Sequence, residues 1–176
     1  MVMKQILVVM AAVVLVGCEK KEDELQKLAN QAFEEAKIKA NRGDAAAQCW
    51  VGSVYRHSEN HNEAIKWYRK AADQGNASGQ FILGLMYANG EGVPEKNLEK
   101  AIKWYRLAAD QGLADAQYLL GVMCDNGEGV GEDNEEAFKW YRLAADQGYK
   151  AAEENLQVLL NENPELRENN PPHETP

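Results

Sequence analysis

The sequence has no apolar run long enough to cross a bilayer as a helix. The longest, Ile6–Val16, holds 11 residues, whereas a spanning helix needs about 20. Basic residues are also short: Lys+Arg number 19 against Asp+Glu 28, for a net charge of −9. Without a dense Lys/Arg stripe the chain lacks the electrostatic footprint for phosphate backbones, so no nucleic acid is expected as a partner. Basic capture of anionic lipid headgroups is excluded on the same ground. Histidine is confined to His57, His61 and His173. The first two stand four apart, but no Cys or third ligand accompanies them, and no metal site is expected. No stretch reads as a strand, so no phosphate cradle between a strand and a helix is available. The acidic stretch Asp125–Glu136 has Gly127 and Gly129 where a calcium loop needs oxygen ligands. Neither a cofactor nor a small-molecule substrate is expected, and the chain reads as a non-enzyme.

The N-terminus begins with one charge, Lys4, followed by the short apolar run and small residues. That is the pattern of a secretory signal peptide, assigned here to residues 1–17. Leu15-Val16-Gly17-Cys18 resembles a bacterial lipobox, which implies cleavage before Cys18, thioether lipidation of Cys18 and acylation of its amine. Several acyl chains, each worth about 0.8 kcal/mol per buried methylene, hold a folded domain durably on a membrane. Residue 19 is Glu rather than Asp, which by analogy with enterobacterial lipoproteins favours the outer membrane. The expected location is the envelope, facing the periplasm. Residues 18–24 comprise Cys18 and a charged tether, short enough to keep the folded part close to the lipid.

Trp104–Gly112 and Trp140–Gly148 both read WYRLAADQG, and Trp67–Gly75 reads WYRKAADQG. The tryptophans are 37 and 36 residues apart, and a period in that range is the sign of a stacked array. The second segment of each copy carries an i, i+3, i+4, i+7, i+8 stripe, such as Ala64, Trp67, Tyr68, Ala71 and Ala72. That spacing buries one helix face, so Trp67, Trp104 and Trp140 read as structural. Gly75, Gly112 and Gly148 stand where a left-handed C-terminal cap is wanted. In the first helix of each copy Gly52, Gly84 and Gly121 align. A helix-interior Gly costs about 0.5–1 kcal/mol against Ala, so its threefold use points to close helix packing. The columns Val51/Leu83/Leu120, Trp50/Ile82/Leu119 and Val54/Met86/Met123 read as core.

Asn-Gly turn chemistry links the two helices at Asn89–Pro94 and Asn126–Val130, but the first copy lacks this loop and has only His57–His61. The expected array spans residues 25–161: a capping helix at 25–43, units at 44–75, 76–112 and 113–148, and a closing helix at 149–161. Residues 162–176, with four of the five prolines, are expected to be a disordered tail.

Ala-x-Ala-Gln-x-x-Leu-Gly at 114–121, Asn-Gly-x-Gly-Val at 126–130 and Ala-x-x-Trp-Tyr-x-x-Ala-Ala-x-Gln-Gly at 137–148 resemble Sel1-like repeats, relatives of tetratricopeptide repeats. The resemblance implies an all-α fold in which antiparallel helix pairs stack as a right-handed superhelical solenoid. It also implies a scaffold or adaptor that holds a protein partner. One branch, the cysteine-rich Helicobacter proteins, has a disulfide pair in every unit and has been linked to penicillin binding and β-lactamase activity. This chain has no such pairs: Cys49 and Cys124 fall in non-adjacent units, too far apart to bridge. A β-lactamase-like hydrolase is therefore only a remote alternative. The stronger one is an immunity lipoprotein that neutralises a secreted effector acting in the periplasm, such as a phospholipase, since immunity lipoproteins include chains of this repeat type.

Binding is expected where the copies differ. Cys49/Phe81/Tyr118 and Ser53/Leu85/Val122 lie four apart on one face of the first helices, and Ala46/Ser78/Asp115 continues it. The candidate groove is thus Phe81, Leu85, Tyr118 and Val122 with Ser78, Asp115, Cys49 and Ser53, an apolar-aromatic patch for a partner segment.

Overall fold

A computed structural model of the chain describes residues 23–169. Residues 23–41 form α1, followed by α2 (Ala45–His57), α3 (His61–Asp73), α4 (Ala77–Asn89) and α5 (Leu98–Asp110). Then come α6 (Ala114–Asn126), α7 (Asn134–Ala145), α8 (Lys150–Glu162) and α9 (Glu165–Asn169). Each helix packs chiefly on the next in sequence, within pairs (α2 with α3, α4 with α5, α6 with α7) and between them. This is a solenoid of helix pairs, and no strand occurs among the described residues.

The helix boundaries follow from capping chemistry. Asp44, Asn60, Asn76, Asn97 and Asp133 stand at N-caps, each accepting through its side chain from the N–H three residues on. Such caps satisfy donors that the first turn leaves without partners. The second helices end alike, with Gly75, Gly112 and Gly148 at φ of +83°, +87° and +80°, a region open to Gly at little cost.

The glycine column has a steric cause. A Cβ on Gly52 would lie 3.2 Å from the Tyr68 ring, one on Gly84 only 2.6 Å from the Tyr105 ring, and one on Gly121 nearer still to that of Tyr141. Each tyrosine belongs to the second helix of the same unit, so Gly in one helix makes the room that Tyr fills from the other. Val51, Leu83 and Leu120 are buried beside them.

Between units a polar ladder runs through the continuous apolar core. Gln48, Gln80 and Gln117 are buried, and each donates to a carbonyl of the preceding second helix (Ala40, Ala72, Ala109) at 3.0–3.2 Å. Their Oε1 atoms accept from Gln74, Gln111 and Gln147 at 2.7 Å. A buried amide left without partners would cost about 1–3 kcal/mol, so this ladder fixes the register of unit on unit while satisfying itself.

Three expectations need correcting. Asp23 and Glu24, assigned to the tether, are already helical. Trp50, assigned to a core column, is 44 % exposed; its aromatic neighbour is the Phe33 ring of α1 at 6.2 Å, tilted by 42°. The tail beginning at 162 is not disordered throughout: α9 folds back so that Leu166, 3 % exposed, joins the core of α7 and α8. Asn134 Nδ2 also donates to Asn163 Oδ1 at 2.9 Å. The signal peptide and Cys18 lie outside the described residues, as do residues 170–176.

Candidate protein-binding surface

The groove positions fall on one face of the first helices. With about 100° between successive residues, Phe81 and Leu85 point well away from the buried stripe of Gln80, Leu83 and Tyr87 on α4. Phe81, Leu85, Tyr118, Val122 and Cys49 are half-buried, and Ser53, Ser78 and Asp115 are exposed. Phe81 rests against the Tyr105 ring at 5.8 Å, tilted by 45°. Tyr118 lies 6.1 Å from Tyr141 and stacks on Tyr149 at 4.9 Å. The patch is therefore held by packing on one side and open on the other. The structured second helices keep it rigid, as a contact surface with low entropic cost requires.

Tyr149 is a member of this surface that the sequence reading missed. It is the residue before α8, and its hydroxyl reaches Asp115 Oδ1 at 3.5 Å. Burial first, then the Asp115 carboxylate, raises its phenol pKa. The sequence did carry a signal: the position before the first helix changes from Asn76 to Leu113 to Tyr149, a column that varies as the groove columns do.

The shortened hairpin is the second irregular place. Residues 58–60 connect α2 to α3, with Glu59 at a φ of +59°. The longer loop of the following unit folds over this gap. Glu91 takes a bidentate contact from Arg56, Nε at 2.7 Å and Nη2 at 3.1 Å, and accepts from Asn89 Nδ2 at 2.9 Å. The Arg56 hydrogen bond is the main reason its carboxyl pKa falls to about 2. His61 Nδ1 lies 3.8 Å from the same carboxylate. Behind it, a Cβ on Gly92 would come within 2.5 Å of the His61 carbonyl oxygen, so the loop's backbone is pressed onto the start of α3. Clefts open on both sides of this contact, one of about 560 Å³ beside Arg56 and His57 and one of about 690 Å³ beside Arg69 and Lys100. No group of three His, Cys, Asp or Glu side chains placed to hold a metal ion occurs among the described residues.

Burial pushes the Cys124 thiol up to about 11, and a thiol that high is scarcely ionised near neutral pH; burial raises Cys49 as well. What the surface offers a ligand is shape, aromatic area and placed charge.

A stack of helix pairs joined by Gly-Tyr contacts and a glutamine ladder defines an α-solenoid with an open first-helix face. The chain belongs to the Sel1 repeat family, whose model matches residues 45–76, 77–113 and 114–149, each span holding one helix pair. No curated protein matches it in sequence. Among solved structures it is similar to a protective antigen of uropathogenic Escherichia coli with an SLR fold, at 43 % identity and a TM-score of 0.66, over 68 % of this chain and 26 % of that one. It is similar to a Sel1 repeat protein from Oxalobacter formigenes at 34 % identity and a TM-score of 0.68, over 75 % of this chain and 58 % of that one. Cysteine-rich protein B of Helicobacter pylori shares the fold at 24 % identity and a TM-score of 0.53, over 72 % and 90 %. The chain thus spans about a quarter and somewhat over half of the first two. Sel1 repeats generally act as protein-interaction modules, and theirs is typically a non-catalytic scaffold fold.

Proposed function

We propose that the protein is a lipid-anchored, non-catalytic interaction module at the periplasmic face of the outer membrane, holding a protein partner on the first-helix face of α4 and α6. One contrast carries this reading. Leu83 and Leu120 are buried, whereas Phe81, Leu85, Tyr118 and Val122, at most two residues away, stay half-exposed. Aromatic side chains that are already ordered, set among apolar neighbours and rimmed by Ser78 and Asp115, are the usual composition of a binding hot spot. The anchor rests on the lipobox-like Leu15–Cys18.

The test is capture from native membranes. The lipidated chain is expected to retain a partner that Phe81→Ala/Tyr118→Ala loses, with an unchanged circular dichroism spectrum. Ser78→Arg, at an exposed position of the same face, blocks the surface without touching the core and should give the same loss. Unfolding of the double variant, or capture unaffected by Ser78→Arg, would overturn the groove. Separately, Cys18→Ser should stop palmitate incorporation and release the chain from the membrane fraction. Retention and labelling without Cys18 would refute the anchor. A captured phospholipase whose toxicity this chain relieves would identify the module as an immunity lipoprotein.

A further inference from the structure

We infer that the cleft between the first and second units is a separate binding site, and that it takes a carboxylate-bearing peptide segment of a protein partner. Its volume of about 690 Å³ falls within the ordinary size of ligand pockets, about 300–1,000 Å³. Lys66 and Arg69 come from α3, Lys100 from α5, and Tyr87 forms the wall between them. An Nη2 of Arg69 donates to the Tyr87 hydroxyl, and Lys100 Nζ stands 5.4 Å above the centroid of the same ring. Two cations thus converge on one phenol, and neither Arg69 nor Lys100 is ion-paired with a carboxylate among the described residues. The opposing charges are Glu63, engaged with Lys66 at 2.6 Å, and Glu95 on the lip.

The next joint of the array is an internal control, because the same columns meet there with different residues. Glu99 replaces Asn62, Cys124 replaces Tyr87 and Glu136 replaces Lys100. In that joint the guanidinium is closed by its own chain, with Arg106 Nη2 donating to Glu136 Oε1 at 2.9 Å. Between the first and second units that carboxylate is missing and a lysine stands in its place. In a chain of net charge −9 this is a local reversal of sign. A guanidinium beside a phenol makes one hydrogen bond to an uncharged acceptor, where its planar fork is matched to a carboxylate by two bonds between opposite charges. A carboxylate from outside supplies what Glu136 supplies in the next unit. Val93 and Pro94 line the same cleft and give apolar area for the flanking residues of a peptide, which a free inorganic anion would leave unused.

The probe is a fluorescein-labelled Gly-Ala-Glu-Leu-Glu peptide with a free terminal carboxylate, read by anisotropy against the full chain in detergent. Its control is the Gln-containing, C-terminally amidated counterpart. Saturable binding of the acidic peptide alone is expected, despite the like net charge of the protein. Lys100→Glu installs the residue of the third unit and should weaken binding at least tenfold. Lys139→Glu, an equal charge change at an exposed lysine of α7, should leave it unchanged, with circular dichroism confirming that both variants fold. Equal binding of both peptides, absence of saturable binding, or equal losses in the two variants would overturn the proposal. Displacement by inorganic phosphate, but not by acetate at the same ionic strength, would also overturn it and make the cleft a phosphate site. None of these outcomes depends on the Phe81/Tyr118 face.

Discussion

Substituting Ala for Gly at 52, 84 and 121 makes one chemical change at three equivalent positions, and the structure orders the outcomes. The gain is the same each time: an interior helical Gly→Ala recovers about 0.5–1 kcal/mol of helix propensity. The cost differs. At Gly52 the new methyl would meet the Tyr68 ring at 3.2 Å, a distance relieved by a shift of a few tenths of an ångström, so gain and cost should nearly cancel. At Gly84 it would meet two Tyr105 ring atoms at 2.6 and 2.7 Å and the Ala101 carbonyl oxygen at 3.2 Å. Overpacking of this kind costs about 1–3 kcal/mol, leaving a net loss near 1 kcal/mol. At Gly121 the approach to Tyr141 is closest, and that ring is least able to yield. Its hydroxyl donates to Asp125 at 3.1 Å and accepts from Asn155 at 3.2 Å. Moving the ring forfeits those bonds, so the net loss should reach about 2 kcal/mol or more. The assay is urea unfolding followed by helical ellipticity, supported by melting, where each kcal/mol shifts Tm by about 2–4 °C. The expected stability order is Gly52→Ala, then Gly84→Ala, then Gly121→Ala. Three equal effects, or Gly121→Ala as the most stable variant, would falsify the steric account of the column.

Three further outcomes follow from single environments. Leu166→Ala should destabilise the fold by about 2–5 kcal/mol, as for a buried leucine elsewhere, and should loosen α8 in hydrogen exchange; a silent substitution would return residues 163–169 to the tail. Cys124, with its thiol raised to about 11 mainly by burial, should react with a disulfide reagent at pH 8 only once urea has unfolded the chain; rapid native labelling would contradict the burial. Glu91 titrates near 2 in the folded chain, chiefly through the Arg56 hydrogen bond, against 4.5 for the free carboxyl. A folded pKa below the unfolded one means that its stabilisation is complete above pH 4.5 and disappears as pH falls through 2. The stability gap between the native chain and Glu91→Gln should therefore narrow from pH 5 to pH 2; a constant gap would mean that the ion pair contributes nothing.

The parts of the fold that were legible in the sequence are those in which one residue type meets one local demand. Gly75, Gly112 and Gly148 announce left-handed caps, and the glycine column announces close packing. Both are properties of a single chain segment and repeat three times, so coincidence is averaged out. The features that escaped depend on what lies opposite. Trp50 has the character of a core residue, but its exposure is set by what faces it, here only the Phe33 ring of α1. Leu166 is one apolar residue among Asn, Pro and Glu, too few for a helical period, yet the open end of α8 gives it a place to bury. The glutamines recur in every unit, but recurrence does not distinguish a buried amide from a solvated one; only the facing carbonyl of the preceding helix does. At the candidate surface, column comparison singles out Phe81 and Tyr118 but not Tyr149, the residue before α8, whose ring stacks on Tyr118. Arg69 lies off the apolar stripe of its helix, and its engagement with Tyr87 spans 18 positions, beyond the reach of a local pattern.

Because each unit contacts mainly its neighbours, the stability of such an array is close to a sum of local terms. The Gly-Tyr contact and the glutamine ladder supply those terms from constant columns, which leaves the outward face of each first helix and the clefts between second helices with little structural duty. Substitution there alters what is bound at small cost to what is folded. The first joint illustrates the separation. Replacing Glu by Lys at position 100, relative to its counterpart 136, removes an ion pair from the surface of the array, yet α4 and α5 still pack through Gly84 and Tyr105 as α6 and α7 pack through Gly121 and Tyr141. A loss tolerated by the fold becomes a guanidinium without a carboxylate in a cleft. The same independence lets the partner face and the cleft be tested by separate variants, since neither Ser78→Arg nor Lys100→Glu touches the columns that hold the units together.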